Sequence, residues 1–390
     1  MANKNLTGAK KAKNDEFYTQ FSDIQKEVEF YLEYNQNTFK DKVVYSNCDD
    51  PFESNFFRYF VLNFNRLGLK RLISTSYKTS PVSNTQITLF GDDVTLEPVK
   101  GRPKIVTNKF IINEVSDVDG DGSFTLEDIL KQLRANKNNE WTPLEGDGDF
   151  RSDECVELLK QSDIVVTNPP FSLFREYITQ LFEHKKKFLI IGNLNAITYK
   201  EIFPMIKGNK VWLGPSISGG DREFVVPHYI FKEIGNWRTD EKGVHYARVM
   251  GVRWFTNLDH GRRHQPIPLM TEADVIKFLT NKAFEEYQNY DAVEVSFLKN
   301  IPSDFVGTMG VPISFLDKYN PDQFEIVGMC ENEDLYKQKT KFYTSGECKQ
   351  AYLDKFGKKG VYDLNASGVV IRDGLREKVY KRLLIKHKKK

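Results

Sequence analysis

The hydrophobic positions of this chain form short apolar runs that alternate with amphipathic stretches between residues 41 and 200. Runs of three or four apolar residues have the length of buried strands, and apolar residues spaced three and four apart are typical of helices that cover a sheet. The pattern predicts an α/β fold with a mostly parallel, doubly wound sheet. Ser54 is the expected N-cap of the first covering helix. The predicted strands are residues 43–45, 71–74, 164–166 and 188–191, and the predicted helices are 56–67, 156–160 and 173–182.

Residues 79–140 interrupt this rhythm, and we interpret them as an insertion into the sheet domain. Within them, Asp117, Asp119, Asp121 and Asp128 occupy positions one, three, five and twelve of an EF-hand loop. The bidentate Glu that is usual at position twelve is replaced by Asp, so two interpretations stay open. The segment is either a structural Ca²⁺ site or an acidic, glycine-rich turn.

The pattern changes again after residue 210, where short predicted strands and loops interleave aromatic and basic residues. Such a long remainder behind an α/β domain is a candidate recognition region. We therefore predict three parts: a sheet domain of residues 1–78 and 141–210, the insertion of residues 79–140, and a recognition region of residues 211–390 that returns in part to the sheet.

Composition narrows the class of protein only slightly. The 390 residues are 40% hydrophobic and 28% charged, which is enough for a large packed core. No apolar run reaches the roughly 20 residues that span a bilayer, and the first residues lack the apolar stretch of a secretory signal, so we expect a cytoplasmic protein with no membrane partner. The four cysteines show no CxxC spacing, which argues against a zinc site and a disulfide framework.

The net charge is only +2, but basic residues are concentrated at both ends of the chain. Such ends either neutralise the phosphates of a nucleic acid or are solvated, frayed termini. The residues concerned are Lys4, Lys10, Lys11 and Lys13 at the start and Lys378, Lys381, Arg382, Lys386, Lys388, Lys389 and Lys390 at the end.

The most specific motif is Asn168-Pro169-Pro170-Phe171, which comes directly after a predicted strand. Ligands of open α/β sheets bind at the carboxyl ends of strands, where this motif falls. An exocyclic amine needs two acceptors to hold its N–H bonds out of the ring plane, and the Asn168 amide oxygen and the Pro169 carbonyl could supply them. Phe171 could stack on a base turned out of a duplex. The alternative is a proline-stiffened turn with Phe171 in the core.

Together with other segments, this motif resembles the EcoRI-type family of adenine-specific DNA methyltransferases. The similarity runs from residue 14 to residue 200 without the insertion, and then in patches to the C-terminus. The resemblance implies a Rossmann-like methyltransferase sheet that binds S-adenosylmethionine. The segments that carry it are residues 15–20, 43–51, 148–152, 162–174, 188–200, 254–259 and 309–316.

The resemblance also implies a cofactor site built from three loops. The first lies against the methionine end, the second holds the amino acid moiety, and the third bonds and stacks the adenine ring. The second loop lacks the glycines that are common there, and a helix-starting turn is its alternative interpretation. No acidic residue follows the second strand to bind the ribose. In order, the loops contain Phe17, Tyr18 and Thr19; Asn47, Asp49, Asp50 and Pro51; and Asp149 and Phe150.

The implied function is direct methyl transfer from S-adenosylmethionine to N6 of an adenine flipped out of double-stranded DNA, with no covalent enzyme intermediate. Arg222, Arg253, Arg262 and Arg263 are candidates for DNA contact because Arg suits guanine edges and phosphates, although they could equally form a solvated surface. The resemblance favours a monomer and allows functional pairing with a restriction endonuclease without a stable complex. A protein glutamine-N5 methyltransferase and a catalytically inactive DNA-binding relative are the alternatives.

Overall fold

The computed structural model describes residues 19–48, 54–76, 107–117, 125, 128, 131–133, 138–219, 222–224 and 237–388, and the backbone alone of residues 85–90, 93–98, 221 and 225. The chain divides into two compact units. The first unit comprises Met1–Ile206 and Val211–His260, and the second comprises Lys207–Lys210 and Gly261–Lys390.

Helices and strands alternate along the first part of the chain, as the hydrophobic pattern predicts. Ser54 is the N-cap of the helix that follows β1, as expected, and its Oγ accepts a hydrogen bond from the Phe56 N–H at 3.1 Å. In chain order the elements are α1 (Phe21–Tyr34), β1 (Val43–Ser46), α2 (Asn55–Leu62), α3 (Phe64–Leu67), β2 (Arg71–Thr75), β3 (Thr85–Phe90), β4 (Asp93–Pro98), β5 (Asn108–Ile112), β6 (Glu140–Pro143), α4 (Asp153–Gln161), β7 (Ile164–Thr167), α5 (Phe174–Glu183), β8 (Lys187–Asn193), α6 (Phe203–Lys207), β9 (Trp212–Leu213), β10 (Asp221–Val225), β11 (Trp237–Thr239), β12 (His245–Met250) and β13 (Val252–Thr256).

Eight of the described strands form one sheet, in the order β6-β5-β2-β1-β7-β8-β13-β9. The four central strands β2, β1, β7 and β8 pair in parallel, whereas β5 and β13 run antiparallel to their neighbours. The carboxyl ends of the four parallel strands therefore share one edge of the sheet. This arrangement confirms the predicted α/β fold with a mostly parallel central sheet.

Burial explains why the central strands are continuous apolar runs. All residues of β1 and β7 are buried, so side chains on both faces of these strands are covered. Helix α5, which follows β7, buries Phe174, Tyr177, Ile178 and Leu181, a spacing of three and four residues that places one helix face on the sheet. The same spacing brings Tyr177 under the carboxyl edge.

Two predicted segments contribute strands to the central sheet. Strand β5, from the segment predicted as an insertion, and β6, which begins at the last residue of that segment, lie at one edge, and β9 and β13, from the segment after residue 210, lie at the other. Strands β3 and β4 pair with each other, and β10, β12 and β11 form a separate three-stranded sheet. The three-part division by function remains a prediction.

The second unit is built around a five-stranded sheet in the order β14-β15-β16-β20-β17. The last strand of the chain lies inside this sheet, and its Arg382 is 8% exposed and donates to the buried Glu294 at 2.7 Å. Residues 382–387 of the basic end are therefore a paired strand and not a frayed terminus. The elements are α7 (Glu272–Val275), β14 (Glu285–Glu286), β15 (Val293–Glu294), β16 (Met309–Pro312), β17 (Phe324–Met329), α8 (Ser345–Phe356), β18 (Val369–Arg372), β19 (Leu375–Lys378) and β20 (Arg382–His387).

Across the part of the chain that the structure describes, no helix combines the length and the apolar character needed to cross a membrane.

Candidate active site

The segment Asn168-Pro169-Pro170-Phe171 lies where the sequence places it, directly after β7 at the carboxyl edge of the sheet. Asn168 is 7% exposed, and Phe171 is half-buried and packs against the hydrophobic core. The Pro170 carbonyl accepts the Leu173 N–H at 2.9 Å, which closes a tight turn before α5. The turn therefore constrains the backbone just after Asn168, at the end of β7.

The end of the neighbouring strand β1 meets this segment. The Cys48 N–H donates to Thr167 Oγ1 at 3.2 Å, so the backbone after β1 is tied to the residue just before Asn168. Asn47 is 2% exposed, and its amide oxygen accepts a hydrogen bond from the hydroxyl of Tyr177 on α5. The structure thus brings Asn47 and Asn168 to adjacent strand ends.

The third predicted loop joins the same cluster through Phe150. Its ring is 5% exposed and contacts the Tyr177 ring edge to face, with centroids 5.0 Å apart. Its carbonyl accepts from Gln180 Nε2 at 3.0 Å. Tyr177 therefore contacts both Asn47 and Phe150 and connects two of the three predicted loops.

Asp149 is engaged by a neighbour on its own loop. Arg151 donates to the Asp149 carboxylate through Nε at 2.8 Å and through a second nitrogen at 2.6 Å. These hydrogen bonds hold the pKa of Asp149 below its usual value. Asp149 is consequently ionised at neutral pH, and its carboxylate must be shared with Arg151 if it is to accept from a ligand.

Thr19 belongs to the first predicted loop and is the only one of its three residues among those described. Thr19 is 4% exposed, and its carbonyl accepts from Asn55 Nδ2 at 2.8 Å, which places it beside the start of α2. Five further predicted site residues, Phe17, Tyr18, Asp49, Asp50 and Pro51, lie outside the described residues.

Several buried polar atoms gather around this edge without a hydrogen-bond partner among the described residues. They belong to the last residues of β1 and β2 and to the adjoining segments, and Ser46 and Ser74 are direct neighbours in the sheet. Polar groups removed from water without a partner are costly, so such groups fit a polar ligand. The atoms are Thr19 Oγ1, Ser46 Oγ, Asn47 Nδ2 and Ser74 Oγ. The residues present thus fit the polar end of S-adenosylmethionine.

Sequence reasoning did not identify Tyr177. Its position on the buried face of an amphipathic helix is typical of a core residue, and only its hydroxyl distinguishes it from the Phe residues around it. Burial raises its pKa well above 10.0, so the hydroxyl remains a proton donor at neutral pH. The available signal was its place in the helix that follows the Asn168 segment.

The four predicted DNA-contact arginines have different environments. Arg253 is 3% exposed and donates to the Val252 carbonyl at 2.8 Å, and Arg263 is 6% exposed and donates to Asn209. Arg222 is half-buried and Arg262 is exposed. The burial of Arg253 and Arg263 favours a structural role for these two side chains.

The predicted Ca²⁺ loop gains no support. Asp128 is fully buried, and its carboxylate accepts from the backbone N–H and the hydroxyl of Thr125 at 2.8 and 2.9 Å, as at a helix start. Asp119 and Asp121 lie outside the described residues, and those that are described contain no cluster of three or more His, Cys, Asp or Glu side chains suited to a metal ion.

Comparison with known proteins identifies the family. Residues 5–388 match the family described as adenine-specific methyltransferase EcoRI. The chain belongs to this family. It is 44% identical over 325 residues to the Type II methyltransferase M.EcoRI of Escherichia coli, a match that covers 83% of this chain and 89% of the relative.

Two mycoplasma proteins are also similar to the chain. M.MgeORF184P of Mycoplasma genitalium is 37% identical over 330 residues, which cover 83% of this chain and 86% of that protein. M.MpnI of Mycoplasma pneumoniae is 35% identical over 335 residues, which cover 83% and 85%. Both are named Type II methyltransferases.

Family membership confirms the expected enzyme class, an adenine-specific DNA methyltransferase, and implies S-adenosylmethionine as the methyl donor. The two alternatives, a protein glutamine methyltransferase and an inactive DNA-binding relative, receive no support from these relatives.

Proposed function

We propose that the Asn168 segment is the catalytic centre of this methyltransferase and acts on N6 of an adenine turned out of the DNA duplex. The observation that carries the proposal is the position of Asn168, a nearly buried amide on a strand end that is tied to the adjacent end of β1. The chemistry of an exocyclic amine requires acceptors fixed in place, and a rigid strand end supplies them.

In this mechanism the Asn168 amide oxygen and the Pro169 carbonyl oxygen accept hydrogen bonds from the two N–H groups of the target amine. Holding both N–H groups out of the ring plane withdraws the nitrogen lone pair from the ring and makes it available as a nucleophile. S-adenosylmethionine, when bound, supplies an electrophilic methyl group on a sulfonium. Phe171, at the end of the turn, stacks on the flipped base and compensates the stacking that the base loses in the duplex.

The cofactor is held at the ends of β1 and β2 and by the loop before α4. Asn47, whose Nδ2 is buried, would hold the amino acid moiety, and Phe150 and Asp149 would hold the adenine ring. Thr19, Phe17 and Tyr18 are assigned to the methionine end, and Asp49, Asp50 and Pro51 to the amino acid moiety. The unpartnered polar atoms around this edge support the assignment.

DNA is contacted by residues after position 210, among which Arg222 and Arg262 retain access to solvent. Functional pairing with a restriction endonuclease and a monomeric enzyme complete the proposal. The naming of the relatives as Type II methyltransferases supports the pairing.

The decisive experiment is incubation with labelled S-adenosylmethionine and unmethylated DNA, followed by nucleoside analysis, for the wild type and for Asn168→Ala. Wild-type label is expected in N6-methyladenine. Loss of one amine acceptor should lower the rate by a factor of about 100 or more, by analogy with the ~3 kcal/mol lost with one oxyanion donor.

Equilibrium binding of S-adenosylhomocysteine is the control, since Asn168 is assigned to the target base and not to the cofactor. Unchanged binding with lost transfer supports the role. Loss of cofactor binding in Asn168→Ala, or methyl transfer at the wild-type rate, would contradict it.

A further inference from the structure

A turn in the second unit combines two exposed lysines with a fixed backbone. Gly357-Lys358-Lys359-Gly360 directly follows α8, and both lysines are exposed. Gly357 adopts a left-handed conformation with φ +65°, and its N–H donates to the Leu353 carbonyl at 2.8 Å. A Cβ at Gly360 would overlap the ring of Tyr352, so the backbone lies directly against that ring. The backbone is therefore constrained at both glycines of the turn.

Three aromatic rings pack against one another beside this turn. Tyr352 and Phe356 have ring centroids 4.7 Å apart, and Phe356 and Tyr362 have centroids 5.9 Å apart. Two further ammonium groups lie over the Tyr362 ring, Lys355 at 5.7 Å and Lys378 at 5.4 Å. Ring contacts of this kind restrict lysine side chains and lower the entropy that they lose on binding a ligand.

Between the flanking acidic residues Asp354 and Asp363, the turn carries only positive charges. Lys355 is paired with Glu377, whose carboxylate also accepts from Arg372 at 3.0 Å. Residues 355–361 contain three lysines and no acidic residue. Lys358, Lys359 and Lys378 form no ion pair with the described residues, so their charges remain available to an external anion. Phe356, 47% exposed, adds apolar area to the same surface.

We propose that the turn, through Lys358 and Lys359 and together with Lys378, binds the phosphate backbone of the DNA substrate. A glycine-bounded turn lets the chain approach a phosphate closely, and ammonium groups gain affinity by releasing the counterions condensed on DNA. The proposal rests on the proposed function only in that DNA is the substrate. These lysines add phosphate contacts to the DNA contacts proposed for Arg222 and Arg262, whereas Arg253 and Arg263 are buried.

The test compares DNA binding of three proteins across a salt series by fluorescence anisotropy with a labelled duplex. The first is the wild type, the second is Lys358→Gln with Lys359→Gln, and the third is the control Lys40→Gln with Lys42→Gln. The control removes the same charge from an exposed segment just ahead of β1, at the amino edge of the parallel strands. Melting temperatures and S-adenosylhomocysteine binding verify that all three are folded.

The slope of the logarithm of the DNA association constant against the logarithm of the salt concentration should fall in magnitude by about 1.8 in the Lys358 and Lys359 variant, since each phosphate contact contributes about 0.9. When the salt concentration rises fourfold, the fold-loss of affinity should therefore be about ten times smaller in the variant than in the wild type. The control should match the wild type. A slope equal to that of the wild type would overturn the proposal, whereas a wild type without salt-dependent DNA binding would contradict the proposed DNA substrate itself.

Discussion

The hydrogen bond from Tyr177 to Asn47 offers a direct test of how the cofactor loop is held in place. Tyr177→Phe keeps the ring and its edge-to-face contact with Phe150 but removes the donor to Asn47 Oδ1. Among the described residues, the Cys48 thiol at 3.5 Å, a weak donor, is then the remaining partner of that oxygen. Because the Asn47 side chain is buried, leaving its acceptor underbonded should cost about 1–3 kcal/mol.

This cost should appear in stability and in cofactor binding. The loss of the hydrogen bond leaves the Asn47 amide free to reorient away from the cofactor. Each 1.4 kcal/mol of binding free energy lost in this way should weaken S-adenosylhomocysteine binding about tenfold. Tyr45→Phe is the matched control, since Tyr45 is equally buried and its hydroxyl contacts Thr75 Oγ1 at 3.3 Å and not Asn47. It should lose stability at unchanged cofactor affinity.

A double-mutant cycle with Asn47→Ala isolates the pair. Calorimetric binding and urea unfolding are measured for the wild type, both single variants and the double variant. Tyr177→Phe should have little further effect once Asn47 has lost its amide. Strictly additive losses would refute the reasoning, because the hydroxyl would then act through contacts other than Asn47.

Two further predictions concern ion pairs in the two units. Arg382→Met should destabilise the protein by about 3–5 kcal/mol, because it leaves the buried Glu294 without its charged partner. In urea unfolding, the double variant with Glu294→Gln should recover part of this loss of stability. No recovery would contradict the pairing. The pKa of Asp149 is lowered by Arg151, so the stabilisation is present above the ordinary value of 3.8 and is lost as pH falls through the lower folded value. The melting-temperature difference between the wild type and Asp149→Asn should therefore shrink below about pH 4, and a difference independent of pH would speak against the ion pair.

Much of the first unit could be predicted from the sequence. Strands β1, β7 and β8 are buried on both faces, so they appear as short apolar runs rich in β-branched and aromatic residues, and such runs predict strands because they are too short for a helix. The Asn168 segment followed from the same logic, because a motif that comes directly after a parallel strand must lie at the carboxyl edge.

The environment of charged side chains could not be predicted in this way. Arg253 and Arg263 are basic residues in a segment rich in such residues, and nothing in their local pattern indicates that they are buried. The basic end of the chain is similar: Arg382 is taken into a sheet because Glu294, 88 residues earlier, neutralises it. Each case depends on a partner distant in the sequence.

The sequence by itself therefore determined the four parallel strands of the central sheet, three helices of the first unit, the family and the position of Asn168. Only the tertiary structure decided that β13 lies between β8 and β9 and that Tyr177 connects Asn47 to Phe150. It also decided which basic side chains face solvent. The physical reason is the range of the interactions. Strand and helix patterns arise from neighbours within a few residues, whereas strand order, burial of charge and side-chain contacts across the carboxyl edge are set by residues that meet only when the chain is folded.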